Sequence, residues 1–108
     1  MNLFEDIPQE LPEELLTPLL DKKKVRIERI VSQGHCSDPD FWYDQVEHEW
    51  VSVLQGSAEL EYADGSVKTL STGDCTFIPA HLKHRVKSTS LDPKCIWLAV
   101  FFAEDANE

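Results

Sequence analysis

The sequence is short of basic residues and has no long apolar run. Ten Lys and Arg stand against twenty Asp and Glu in 108 residues, which gives a formal net charge of -10. Nucleic acid and anionic lipid are bound mainly through basic side chains, so we expect neither as a partner. No stretch approaches the roughly 20 apolar residues of a membrane span, and the acidic N-terminus lacks the basic start and apolar centre of a secretory signal. These absences predict a cytoplasmic protein that binds neither membranes nor nucleic acid.

Cysteine is also scarce. Cys36, Cys75 and Cys95 are an odd number and show no Cys-x-x-Cys spacing. This argues against a disulfide framework and against a structural zinc site built from cysteines. We expect three reduced thiols.

The distribution of the apolar residues is typical of β-strands. From Val25 onward, short runs rich in Val, Ile, Trp, Phe and Tyr alternate with turn residues, and Asp64-Gly65 is a strong hairpin signal. An all-β chain with regularly spaced turns is typical of a sandwich or a barrel. The predicted strands are Val25–Ser32, Phe41–Gln45, Glu49–Leu54, Ala58–Tyr62, Val67–Leu70, Cys75–Ile78, His84–Ser88 and Cys95–Phe102.

The pattern divides the chain into a barrel with an extension at each end. Residues 1–24 are the N-terminal extension, which we expect to wrap the barrel. Pro12 can begin a helix and Pro18 would end it, so this extension is predicted to hold one short helical turn or to be extended. Residues 25–102 form the predicted barrel, and residues 103–108 form an acidic tail.

The last predicted strand is apolar on both faces between Ile96 and Phe102. Such a strand is buried on both sides, either inside the fold or at an interface between subunits. Exposed apolar strands are a liability that dimers remove. We therefore expect a homodimer.

Candidate chemistry is concentrated in two short segments. Strand alternation places Glu49 on the same face as Val51 and Val53, toward the core. A carboxylate at the mouth of an apolar barrel is costly to desolvate unless it is paired, hydrogen-bonded or bound to a cation. His81 and His84, three residues apart, are close enough to converge on that mouth if the two segments pair.

The segment from Glu49 to Gly56, followed by the segment from Gly73 to His84, resembles the two motifs of the cupins. The spacing from glutamate to glycine, the Gly-Asp turn, Pro79 and the final histidine carry the resemblance. It implies a single jelly-roll-like cupin β-barrel, commonly dimeric, that usually holds a divalent metal through two histidines and a glutamate of the first motif and the histidine of the second.

The ligands carry over only in part. Glu49 matches the family's glutamate and His84 its second-motif histidine, but Tyr43 and Gln45 stand where the first motif has histidines. A Gln carbonyl oxygen can still coordinate, and His81 is a candidate for the missing imidazole. Two His and a carboxylate suit Fe, Mn, Ni or Zn, which the sequence does not distinguish. The predicted metal site therefore consists of Gln45, Glu49, His81 and His84.

Two functions are compatible with these residues. One is a metal-dependent enzyme that acts on a small polar or carboxylated metabolite. The other is a non-catalytic cupin that binds or senses a small molecule without metal. In a purely structural alternative, Glu49 and His84 form a buried ion pair between strands, and His81 is a solvent-facing loop residue.

The net charge also bears on the ligand. A strongly acidic protein slows the approach of anions, unless basic side chains reverse the sign locally. The basic residues that could gather at the mouth are Arg26, Arg29, Lys83 and Arg85.

Overall fold

The computed structural model describes residues 1–103, which form eight β-strands and no helix. The predicted acidic tail lies outside the described residues, apart from its first residue. The strands are β1 (Leu15–Asp21), β2 (Val25–Ser32), β3 (His48–Gln55), β4 (Ser57–Tyr62), β5 (Val67–Ser71), β6 (Cys75–Ile78), β7 (His84–Thr89) and β8 (Cys95–Phe102).

Two antiparallel sheets make up the all-β, jelly-roll-like barrel that the sequence predicts. The larger sheet has the order β1-β2-β8-β3-β6, and the smaller has the order β5-β4-β7. Strand alternation turns Val51 and Val53 of β3 and Trp97 of β8 toward Leu60 and Leu70 of the other sheet. The core therefore lies between the sheets, and any space inside it is enclosed by both of them.

The N-terminal region is a strand and not a helical turn. β1 pairs with β2 from Leu15 opposite Val31 to Asp21 opposite Arg26, with an irregularity after Pro18. Proline lacks a backbone N–H, and at the edge of a sheet that donor is not needed. The helical alternative for this region is therefore wrong, the extended one is correct, and the larger sheet begins at Leu15.

The predicted strand at residues 41–45 is also wrong. Its single β contact is an isolated bridge between Tyr43 and His84. Asp40 has a φ of 68°, and the Phe41 N–H bonds back to the Asp38 carbonyl, so the chain turns where a strand would start. The aromatic residues that suggested a strand instead form a loop in front of β7.

Residues before β1 lie against the outer face of the larger sheet. Ile7 and Leu11 pack against Val31 and Ile96. The same segment covers Arg29 of β2, which is only 2% exposed. The guanidinium group of Arg29 donates hydrogen bonds to the carbonyl oxygens of Leu3 and Glu5. In residues 1–103 no helix is long and apolar enough to cross a membrane.

Candidate functional site

A cavity of about 230 Å³ lies between the two sheets. Residues of every strand except β5 line it, together with the loop that precedes β3. Its walls combine apolar side chains with a few charged and polar groups. The charged, polar and aromatic lining residues include Arg26, Glu28, Tyr43, Glu49, His84 and Trp97.

His84 is the buried imidazole of this cavity, with 4% of its surface exposed. Its Nδ1 lies 2.8 Å from the Leu82 carbonyl oxygen, which can only accept a hydrogen bond. In the neutral ring the proton is therefore on Nδ1, and Nε2 is the atom that faces Glu49. This arrangement leaves an imidazole nitrogen available to the cavity.

Glu49 enters from β3 on the face that the sequence predicts. It is 9% exposed, and its Oε1 lies 3.6 Å from His84 Nε2, slightly longer than a hydrogen bond. Burial lowers the pKa of His84, but the Glu49 carboxylate and the hydrogen bond to Leu82 outweigh burial, so that the pKa is raised above 6.5. The two strands thus bring a carboxylate and an imidazole together inside the barrel.

Tyr43 packs against one face of the His84 imidazole. Its ring stacks on His84 with the centroids 5.3 Å apart, and the two residues exchange backbone hydrogen bonds of 2.7 and 3.2 Å. Burial raises the pKa of the Tyr43 phenol, with smaller contributions from Glu14 and Glu49. At neutral pH the phenol is therefore uncharged.

Of the other two predicted metal ligands, one lines the cavity and one does not. Gln45 is among the lining residues. His81 is absent from the lining, its side chain is 64% exposed, and its Nδ1 lies 2.8 Å from Asp44 Oδ1. Its backbone has a φ of 64° and its N–H bonds to the Gln45 carbonyl. The loop thus turns the His81 ring toward Asp44.

Of the four predicted ligands, those that line the cavity are one imidazole (His84), one carboxylate (Glu49) and one amide (Gln45). Divalent transition metals in proteins are usually held by three or four imidazole, thiolate or carboxylate side chains, of which this set supplies two. Within residues 1–103 no three His, Cys, Asp or Glu side chains are arranged to hold a metal ion. This donor set is a poor fit to a metal, so we base the proposed function on the side chains themselves, and the four-residue metal site stays a prediction.

The four basic residues that could gather at the mouth do not give the cavity a basic rim, since Arg29, Lys83 and Arg85 are outside its lining. Arg26 lines the cavity, but its Nε and Nη2 atoms bind Glu47 at 2.9 to 3.2 Å and its Nη1 binds Glu28. Arg85 binds Glu61 at 2.9 Å and the carbonyl of Ser37. Because both guanidinium groups are already paired with carboxylates, neither gives the cavity a free positive charge.

The sequence interpretation missed the contribution of β2 to the site. Arg26, Glu28 and Ile30 alternate along β2 and all line the cavity. The signal was present as strand alternation, since these residues share one face of the strand. Two charged residues on that face argue against a fully apolar interior and could have located the mouth of the cavity.

Comparisons with known proteins agree with this fold. A family model for the cupin domain matches residues 28–101. This chain is a cupin. No curated protein matches the sequence.

The solved structures that match include a relative of high similarity and others that share the fold. A Ralstonia eutropha protein described as a candidate mannose-6-phosphate isomerase is 43% identical, with a TM-score of 0.91 and coverage of 96% of this chain and 97% of that chain. A cupin superfamily protein of Desulfitobacterium hafniense is 18% identical, with a TM-score of 0.76 and coverage of 91% and 84%. The polyketide cyclase RemF of Streptomyces resistomycificus is 21% identical, with a TM-score of 0.71 and coverage of 86% and 67%.

Proposed function

We propose that this cupin binds a small polar molecule in the cavity between its sheets, held by Glu49 and His84. The observation that carries the proposal is the buried pair itself. The Nε2 atom of His84 and Oε1 of Glu49 lie 3.6 Å apart, and both residues line the cavity. A carboxylate accepts several hydrogen bonds, so this pair can bind a ligand that supplies further donors.

The size and walls of the cavity support a small ligand. At about 230 Å³ it lies below the roughly 300–1,000 Å³ typical of pockets for drug-sized molecules. Trp97, Phe101 and Val51 supply apolar contact beside the polar pair, with Phe101 directly opposite Glu49 across the sheet. A molecule with a short carbon skeleton and one or two polar groups matches this combination.

Trp97 provides a direct test. Its indole N–H donates to Ser32 Oγ at 3.2 Å and its ring lines the cavity, whereas Trp50 lies on the outer face of the sheet. In a nuclear magnetic resonance titration with small alcohols, amines and carboxylic acids, a ligand of the cavity should shift the indole resonance of Trp97 and leave that of Trp50 unchanged. If no compound shifts Trp97, the proposed function is wrong.

Three variants separate this proposal from the metal-dependent alternative. Glu49→Gln and His84→Gln should weaken binding about tenfold, since each loses a buried hydrogen-bonding group worth roughly 1–3 kcal/mol. His81→Asn should bind as the wild type does, because His81 is outside the cavity and asparagine tolerates its positive φ. Metal content is measured in parallel: stoichiometric metal that is lost in all three variants would support the metal-dependent enzyme instead.

We also propose that the chain is a homodimer through its outer apolar face, defined as Trp50, Phe77, Leu98, Val100 and Phe102. Trp50 pairs across the sheet with Phe77 on one side and Val100 on the other, and the rings of Phe77 and Phe102 are 6.1 Å apart. The N-terminal segment covers the neighbouring part of this face, at Val31 and Ile96. A second copy would cover the remainder.

Sedimentation velocity tests the dimer. Trp50→Glu places a charge in the middle of the outer apolar face, and we expect it to convert a dimer at micromolar concentration into a monomer. Trp42→Glu is the matched control, since Trp42 and Trp50 are both 37% exposed and Trp42 lies in the loop near Arg85. A wild-type monomer, or an equal effect of the two variants, would contradict the proposed interface.

A further inference from the structure

The charged residues of the cavity point to its ligand class. Glu14, Glu28 and Glu49 line it, and Arg26 and His84 are the cationic or titratable basic side chains among its lining residues. If His84 is protonated, it balances the charge of Glu49. In either protonation state the lining carries more negative than positive charge.

Arg26 does not provide an anion site. Glu47 binds it through two of its nitrogens and Glu28 through the third, while its guanidinium carbon lies 3.8 Å from the centroid of the Phe101 ring. Hydrogen bonding to Glu47 raises the pKa of Arg26 further. An incoming phosphate or carboxylate would have to displace a carboxylate that is already in place and would then lie beside Glu28.

A second observation concerns the buried end of the cavity. His84 is more than nine-tenths buried, its Nε2 atom lies 3.6 Å from Glu49 Oε1, and both residues line the cavity. A neutral imidazole nitrogen and a carboxylate both accept hydrogen bonds, and an ammonium group supplies up to three donors. Aromatic faces also attract cations, and the rings of Tyr43 and Trp97 line the same space.

We propose that the cavity selects a small organic cation, an amine with a short carbon chain, over carboxylated and phosphorylated molecules. This inference rests on the proposed function, because it names the ligand class of the same cavity. The ammonium group would lie near Glu49 and Nε2 of His84, and the carbon chain would contact the apolar wall. The net charge of -10 of the whole chain further favours the approach of a cation.

A preference for a small organic cation differs from the phosphorylated sugar that the name of the Ralstonia relative suggests. A phosphorylated sugar needs a cationic or backbone amide cradle for its phosphate. In this chain the one arginine of the cavity lining is held by two carboxylates. The difference can be tested with molecules of equal size and unequal charge.

The test uses propylamine, 1-propanol and propionate, together with mannose 6-phosphate, as probes of the full chain near neutral pH. Shifts of the Trp97 indole resonance report binding, and that of Trp50 serves as the internal reference. We expect propylamine to bind at least tenfold more tightly than propionate and mannose 6-phosphate, with 1-propanol in between.

Charge variants locate the source of the preference. Glu28→Gln should weaken propylamine binding about fivefold and strengthen propionate binding, since one lining charge is removed while Glu47 still holds Arg26. Glu61→Gln removes the same charge and also an Arg–Glu pair, but on β4 outside the cavity lining, so it should change neither. Equal effects of the two variants would overturn the assignment to the cavity.

The outcomes separate this proposal from the one on which it rests. Tighter binding of propionate or mannose 6-phosphate at Trp97 would overturn the cation preference and leave a ligand-binding cavity in place. A Trp97 resonance that responds to none of the four probes would overturn both. Preferential binding of propylamine that Glu28→Gln reduces would support both.

Discussion

Gly56→Ala should destabilise the protein by about 4 kcal/mol, the largest loss that we expect from adding one methyl group. Gly56 has a φ of 82°, which costs an L-residue about 1–2 kcal/mol. A Cβ there would also press on Ser90 Oγ and lie 2.9 Å from the Lys94 carbonyl oxygen. Because the turn between β3 and β4 packs directly on the segment before β8, the methyl group has no space.

The neighbouring groups cannot easily move away from a new Cβ. Ser90 Oγ accepts a hydrogen bond from the Ser57 N–H at 3.1 Å, and the Lys94 carbonyl accepts one from Gln55 Nε2 at 3.0 Å. Shifting either group would break a bond that joins the turn to the segment before β8. The cost is therefore one of packing as well as of backbone conformation.

Gly65→Ala is the matched control for this prediction. Gly65 has a φ of 89°, nearly the same as Gly56, but a Cβ there would meet no atom within 4 Å. We expect it to cost about 1 kcal/mol, from backbone conformation alone. Urea denaturation of both variants measures the difference, and equal losses would show that the packing argument is wrong.

Most strands of the barrel could be predicted because each is a short β-branched and aromatic run that ends at a turn. β2, β6 and β8 have the predicted bounds, and Gly65 lies in the predicted hairpin turn. β1 was missed because Pro18 is read locally as the end of a helix, whereas its position at a sheet edge depends on tertiary structure. The aromatic run at residues 41–45 has strand composition, but the turn at Asp40 redirects it.

In the candidate site, too, some residues could be predicted from motif spacing, whereas others depend on loop geometry. The motif spacing located Glu49 and His84, since strands place them at fixed positions. The direction of the His81 ring depends on a positive φ and on Asp44, neither of which has a sequence signal of its own. The pairing of Arg26 with Glu47 joins residues 21 positions apart and follows only from the packing of β2 beside the loop that precedes β3.

The stability of the wild-type protein should contain a component that falls as the pH rises above about 6.5, and Glu49→Gln should remove or reverse it. Burial acts to lower the pKa of His84, but Glu49 and the Leu82 carbonyl raise it above its ordinary value. The folded protein then binds the His84 proton more tightly than the unfolded chain. This contribution is therefore complete below pH 6.5 and is lost as the pH rises through the raised pKa of the folded state.

Removing the carboxylate reverses the sign of this linkage. In Glu49→Gln the burial of His84 outweighs the bond to Leu82, so the pKa of His84 should fall below 6.5 and stability should instead rise with pH through that range. At acidic pH the variant should lose about 2 kcal/mol, less than the roughly 3–5 kcal/mol for a fully buried pair, since the cavity admits water.

Urea denaturation at about pH 5.5 and about pH 8.5, with a histidine titration followed by nuclear magnetic resonance, measures both effects. His81→Asn is the control, because an ion pair as exposed as that of His81 with Asp44 contributes at most about 1 kcal/mol. A wild-type slope retained in Glu49→Gln would assign it to other groups. A slope lost in Glu49→Gln and kept in His81→Asn would identify the Glu49–His84 pair as the proton-binding group that faces the cavity.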